Sequence, residues 1–342
     1  MTTEFFGPLP SGEGIDAWTL GNAAGSSVKI LTLGGIVASL RVPDRRGELA
    51  DVVLGFNTLR EYLSGHMYFG ALCGRIAGRV PEGELRVEGR RYSLPLNNGR
   101  NHLHGGFVGL DRRVWRATAA PSVEGAESLR LTYHSPDGEE GYPGSLDIAV
   151  TYTFTADNCL TLETEATSDQ VTPLSLTQHS YFNLGGEGSG SIADHELQIH
   201  SDVFVPLNAA MTLGGVAESV AGKGNDFRNS RRIGDALPGL FRSHGDLYLL
   251  GTAGFRKVAR VIDRGSGRTL EVSTDESCLQ FYSAVDLDRT LVGKSGRAYG
   301  PHAGFCLECE GYAGGGNRPE FGDILVRPGR PQRRKTTYAF GR

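Results

Sequence analysis

The strongest constraint on this chain is its rhythm. Short runs of alternating apolar and polar residues recur along its length, and no stretch sustains the period of an amphipathic helix. Such runs occupy 27–33, 36–42, 51–56, 129–133, 146–154, 160–166, 196–201, 260–262, 269–274, 279–283 and 305–310. Residues 85–96 predict a hairpin that turns at Glu88-Gly89, and Pro43 to Gly47 predict a further turn. Residues 58–63 suit one short helix, and 207–240 form a Gly-rich excursion of weak periodicity. The 49 glycines are spread through the chain, as many tight turns require. Short strands at this spacing specify an antiparallel sandwich or barrel and argue against a parallel sheet with crossover helices. The fold expected is all-β: a large β-sandwich with few short helices. No linker, low-complexity tail or short-period repeat divides residues 1–342, so one domain is expected.

Composition removes several classes of function. The 342 residues are 39% hydrophobic, enough for a large core, and the net charge of −4 with no long basic run disfavours nucleic acid. No apolar run is long enough to cross a bilayer, so no membrane partner is expected. The cysteines number five, an odd count, and no secretory signal region opens the chain. A cytoplasmic protein with reduced thiols is expected. Monomer and homodimer are both left open.

Two stretches stand out chemically. In 176–184 strand alternation separates Leu176, Gln178, Ser180, Phe182 and Leu184 from Thr177, His179, Tyr181 and Asn183. The second face carries an imidazole whose ordinary pKa, about 6.5, suits proton donation near neutrality. The simpler reading is a core histidine with both nitrogens satisfied. In 305–310, Cys306, Glu308 and Glu310 share the face opposite Phe305, Leu307 and Cys309. Two neighbouring carboxylates raise one another's pKa and so improve one of them as a base; the simpler reading is a solvated strand face. Cys306 and Cys309 have a CxxC spacing, but a strand parts their sulfurs and no second pair exists, so they are read as structural. His102 and His104 form an H-x-H pair, without the following Glu that a cupin-like metal site uses. Arg75 and Arg79, four apart among glycines, cannot form a phosphate loop, because no Lys-Ser/Thr follows and Val80-Pro81 disfavours a helix. Either arginine could direct two donors at hydroxyls in a groove, or lie on the surface.

These stretches, in order and spacing, resemble the aldose 1-epimerase (galactose mutarotase) family over nearly the whole chain. The resemblance runs through Asp51-Val-Val-Leu-Gly-Phe, Tyr68-Phe-Gly, Gly74-Arg-Ile-Ala-Gly-Arg79, Asn101-His-Leu-His-Gly-Gly and Glu140-Gly-Tyr-Pro-Gly. It continues through His179-Ser-Tyr-Phe-Asn-Leu, Asp226-Phe-Arg, Gln280-Phe-Tyr, Gly304-Phe-Cys-Leu-Glu308 and Arg327-Pro-Gly. It implies a galactose mutarotase-like antiparallel supersandwich that interconverts the α and β anomers of a hexose such as galactose or glucose, with neither cofactor nor metal. By resemblance Glu308 is the base and His179 the acid, while His104, Arg79, Gln280 and Asp246 bind the sugar. Asp246 takes that role if one residue is deleted after it; ungapped, Gly245 stands there. The chain departs from the family pattern at Gln178 and Gly78, where Asn is usual, and at Glu310 with the Gly-rich stretch 311–316, where Gln and then Pro-Asp are usual. Two other readings remain: a non-catalytic carbohydrate-binding protein on the same fold, and a metal-dependent cupin-like isomerase using His102 and His104.

Overall fold

A computed structural model describes residues 1–64, 67–252, 254–313 and 319–342. Nearly all its regular structure is antiparallel β, with only two short α-helices, Leu59–Ser64 and Ile233–Ala236, among the described residues. The largest sheet has nine strands. Its centre pairs Cys159–Ser168 with Gln332–Gly341, which pairs in turn with Thr269–Thr274. A second, five-stranded sheet runs Glu218–Ser219, Val203–Val205, Leu247–Leu249, Cys278–Tyr282 and Cys306–Glu310. Five strands between Thr2 and Asp51 form a third sheet.

Alternation decides what each sheet buries. Leu307 and Cys309 join the main apolar cluster, which also holds Leu160, Leu162, Leu270, Val272 and Tyr338 from the nine-stranded sheet. Phe182 packs against Phe305 and Tyr338 in the same layer with tilted rings, at centroid separations of 5.8 and 5.4 Å. The alternate residues, Glu308 and Glu310, therefore point away from that layer. This one strand joins the core to the site.

The hairpin forms as expected. Glu84–Val87 pairs with Arg90–Ser93, and Glu88 and Gly89 both take positive φ, 47° and 81°, as a two-residue turn matched to strand twist requires. Two features differ from expectation. The stretch 176–184 is not one continuous strand: only Thr177–Gln178 is ladder-paired, to Leu72–Cys73, and Phe182 then bridges Val53 and Phe305. The segment changes partners between these points, so regular pairing lapses at His179 itself. The second difference is Gln332–Gly341, a ten-residue strand near the middle of the largest sheet. Its basic start shows no clear apolar alternation, and it is not among the strands expected from sequence. On its exposed face Arg333 and Lys335 lie over Glu165 and Glu163 of the neighbouring strand, at 2.7 and 3.2 Å.

Candidate active site

His179, Tyr181 and Glu308 meet at the wall of a cleft of about 560 Å³. The cleft is also lined by Tyr68, Arg79, His104, Gln280, Tyr282 and Glu310, and the excursion adds Leu207, Met211 and Leu213. Positive φ values cluster here on residues that carry side chains: Tyr68 at 58°, His104 at 49°, Met211 at 60° and Arg242 at 50°. Each such backbone costs of order 1–3 kcal/mol, and strain of this kind collects at functional sites.

His179 is 4% exposed and Glu308 3%. His179 Nε2 lies 3.4 Å from Glu308 Oε2. The other ring nitrogen, Nδ1, faces the Cys306 sulfur at 3.6 Å, and the ring stacks on Tyr181 at 5.1 Å. Main-chain bonds pin the segment: His179 N–H donates to Ala71 O, and Gly70 N–H donates to His179 O. Burial drives the pKa of Glu308 well above the ordinary carboxylate range, and the Arg79 charge only partly opposes this. Glu310 is raised well above that range too, by burial and then by Glu308 and Glu276.

His104 sits just past the strand Asn101–Leu103, and its left-handed backbone turns the imidazole into the cleft. Gly78 N–H donates to His104 Nδ1 at 3.2 Å, which places the proton of the neutral ring on Nε2. The His104 and His179 rings meet edge to face at 5.2 Å. Arg79 lines the cleft with its Nε donating to Asn98 Oδ1 at 3.0 Å. Gln280 pairs directly opposite Glu308 across the sheet and donates to Phe281 O.

The two arginines separate cleanly. Arg75 is buried, and its guanidinium makes six hydrogen bonds, to Ser135, Pro136, Pro143, Gly144 and Thr172. It is a structural tie, and only Arg79 reaches the cleft. The H-x-H pair separates likewise. His102 is fully buried between Pro95 O at 2.8 Å and the Tyr142 hydroxyl at 2.7 Å, and burial lowers its pKa to about 4. His102 and His104 therefore do not form a chelate. A different set of donors does converge: ligand atoms of His104, His179 and Glu308 all lie within 4.8 Å of one another and could close on a cation.

One of the expected sugar-binding residues does not join the cleft wall. Asp246 is buried outside the cleft wall, where its carboxylate accepts from Asn225 Nδ2 at 2.9 Å and burial raises its pKa to about 6. The cleft is lined instead by its neighbours His244 and Leu247: the strand Leu247–Leu249 begins only after Asp246, and the positive φ of Gly245 breaks the alternation that would have put His244 and Asp246 on one face. No side chain fits at Gly245 either: its φ is +114°, and a Cβ there would meet Phe281 O at 2.2 Å. The exposed carboxyl on this part of the cleft is Asp286, which accepts from the Tyr282 hydroxyl at 2.9 Å. Sequence reasoning missed Asp286, Tyr282 and Tyr68. Tyr68 has a usable signal, the Tyr68-Phe-Gly stretch; Asp286 has none. Of the altered stretch 311–316, residues 314–316 lie outside the described residues, while Ala313 lines the cleft.

Comparison with known proteins finds matches over nearly the whole chain. The family model described as Aldose 1-epimerase matches residues 16–339. The chain is 41% identical to the galactose mutarotase of Sus scrofa over 344 residues, covering 99% of this chain and 98% of that protein. It is 31% identical to the aldose 1-epimerase of Escherichia coli strain K12, covering 97% and 96%. Among solved structures, the galactose 1-epimerase of Lactobacillus acidophilus NCFM superposes with a TM-score of 0.86 at 28% identity, covering 100% of this chain and 99% of that one.

Proposed function

The chain belongs to the aldose 1-epimerase family, and on that premise we propose that Glu308 and His179 are the base and acid with which it equilibrates the anomers of a hexose. It is an isomerase, a mutarotase acting on a sugar. Galactose and glucose are the substrates proposed. The observation that carries the assignment of roles is the 3.4 Å separation of His179 Nε2 and Glu308 Oε2 at the cleft wall.

The reaction needs two proton transfers at oxygens attached to one carbon. Glu308 removes the proton of the C1 hydroxyl, and His179 delivers one to the ring oxygen. The bond from C1 to the ring oxygen breaks and leaves an open-chain aldehyde. Rotation about the C1–C2 bond presents the other face of the carbonyl. Glu308 then returns its proton to the carbonyl oxygen as His179 takes one back from the C5 hydroxyl, and the ring closes as the opposite anomer. No net proton is consumed, and neither a cofactor nor a metal is needed for the balance. Groups acting on two oxygens of one carbon must be close together. The separation seen is shorter than the roughly 5–9.5 Å between the two carboxyls that flank a bond in glycoside hydrolysis. Burial suits Glu308 to the task, since a carboxylate whose pKa is raised toward neutrality is a stronger base. His104 and Arg79 supply donors for sugar oxygens, and Gln280 steadies Glu308 or the sugar from the adjacent strand.

The convergence of His104, His179 and Glu308 supports a second reading, in which a bound cation polarises the sugar. The two separate simply. Acid–base opening requires activity to survive EDTA, while a metal route requires it to collapse and return with added metal. The five cysteines are all free, and we place the protein in a reducing compartment, the cytoplasm. Residues 1–342 are read as one domain, because the main apolar cluster runs from Leu20 to Phe340.

A further inference from the structure

Besides Glu308 and the exposed Asp286, the cleft holds a third carboxyl group, a buried one that ring opening does not use. Glu310 lies two residues beyond Glu308 on the strand Cys306–Glu310 and lines the same cleft. It is 3% exposed, and its Oε2 has no hydrogen-bond partner among the described residues. Its Oε1 lies 3.6 Å from where a Cβ on residue 78 would sit; Gly78, at φ +76°, puts no side chain there. Glycine is suited to that backbone, and it leaves the space in front of the carboxyl open to a ligand. A buried polar atom left unpaired is destabilising, so a carboxyl in this position is suited to a partner bound in the cleft.

Strand geometry limits what that partner can be. Residues two apart are separated by about 6.6 Å along the wall, roughly the width of one sugar ring. A hexose with its C1 hydroxyl at Glu308 therefore brings a different ring substituent to Glu310. On the mutarotase reading above, we propose that Glu310 is a specificity-determining residue that hydrogen-bonds one ring hydroxyl remote from C1. The preferred substrates are then neutral aldohexoses with that hydroxyl free, and sugars lacking it are discriminated against. A carboxyl group presents two hydrogen-bonding oxygens, a pattern that a sugar hydroxyl complements.

The test is anomer equilibration followed by polarimetry for glucose, galactose and their 2-, 3-, 4- and 6-deoxy analogues. It uses the unmutated protein, Glu310→Gln and Glu310→Leu. For the unmutated protein, one deoxy analogue should lose about tenfold in kcat/KM relative to its parent, the size of one neutral hydrogen bond. Glu310→Leu should raise KM for the parent sugar about tenfold at nearly constant kcat, yet leave that one analogue unaffected. Glu310→Gln, which keeps shape, donor and acceptor, should stay within about threefold of the unmutated protein. Equal kcat/KM across the deoxy series would overturn the proposal without need of any variant. So would a Glu310→Leu penalty shared by every sugar, which marks a structural role. A protein that accelerates none of these sugars would overturn the mutarotase reading, and this proposal with it.

Discussion

Replacing Glu308 by Gln should make the protein both slower and more stable, and the second effect should depend on pH. Gln keeps the shape of the side chain but cannot accept the proton of the C1 hydroxyl. Loss of a well-placed base costs roughly 10²–10⁴ in rate, or about 2.7–5.5 kcal/mol of barrier. The stability effect follows from burial. Glu308 is 3% exposed, and its folded pKa is raised well above the ordinary value of about 4.3. Below that ordinary value the residue is neutral in both the folded and unfolded chain, and the folded state carries no penalty. Above it, the unfolded chain ionises first, and stability falls by about 1.4 kcal/mol per pH unit until the folded pKa is passed. The Gln variant escapes this loss. For 342 residues, at about 2.1 cal/mol/K per residue, the unfolding entropy is about 0.7 kcal/mol/K, so the Tm advantage of the variant should grow by about 2 °C per pH unit. Calorimetry between pH 5 and 7 reads this directly, and polarimetry reads the rate. A variant as fast as the unmutated protein, or a Tm difference flat across that range, would refute the reasoning.

Other expectations follow from the same geometry. His179→Asn should lower kcat by roughly 10²–10⁴ with KM changed little, and stopped-flow polarimetry with intact KM but unaltered kcat would count against the acid role. Arg79→Lys should raise KM about tenfold while sparing kcat, because a lysine cannot direct two donors in one plane; an unchanged KM would remove Arg79 from the sugar. Arg75→Met should destabilise by about 3–5 kcal/mol, since it strips six hydrogen bonds, five of them buried, and a Tm equal to that of the unmutated protein would contradict the structural assignment. Dialysis against EDTA should leave the anomerisation rate unchanged, and its loss would favour the cation reading of His104, His179 and Glu308.

Much of the site was legible because strand alternation is a strict rule. The face shared by Cys306, Glu308 and Glu310 follows from period two alone, and the strand Cys306–Glu310 obeys it with Leu307 and Cys309 in the core. The same rule failed to exclude Asp246, because sequence does not reveal that Leu247 rather than Asp246 faces the cleft there. His102 and His104 show why spacing alone misleads. A left-handed residue at His104 breaks the alternation that would have aligned the two rings. Gln332–Gly341 was hidden for a different reason. Its strand character comes from ladder pairing to Cys159–Ser168 on one side and Thr269–Thr274 on the other, contacts that no local window contains. Asp286 is reached only through the fold, as it enters the cleft on a loop without periodicity.

The most direct measurement is a crystal structure of the slowed Glu308→Gln variant soaked with galactose. The account predicts one pyranose in the cleft, with its C1 hydroxyl within about 2.7–3.2 Å of the residue 308 side chain and its ring oxygen at the same range from His179 Nε2. A sugar bound with C1 turned away from both groups, or bound elsewhere on the protein, would contradict it.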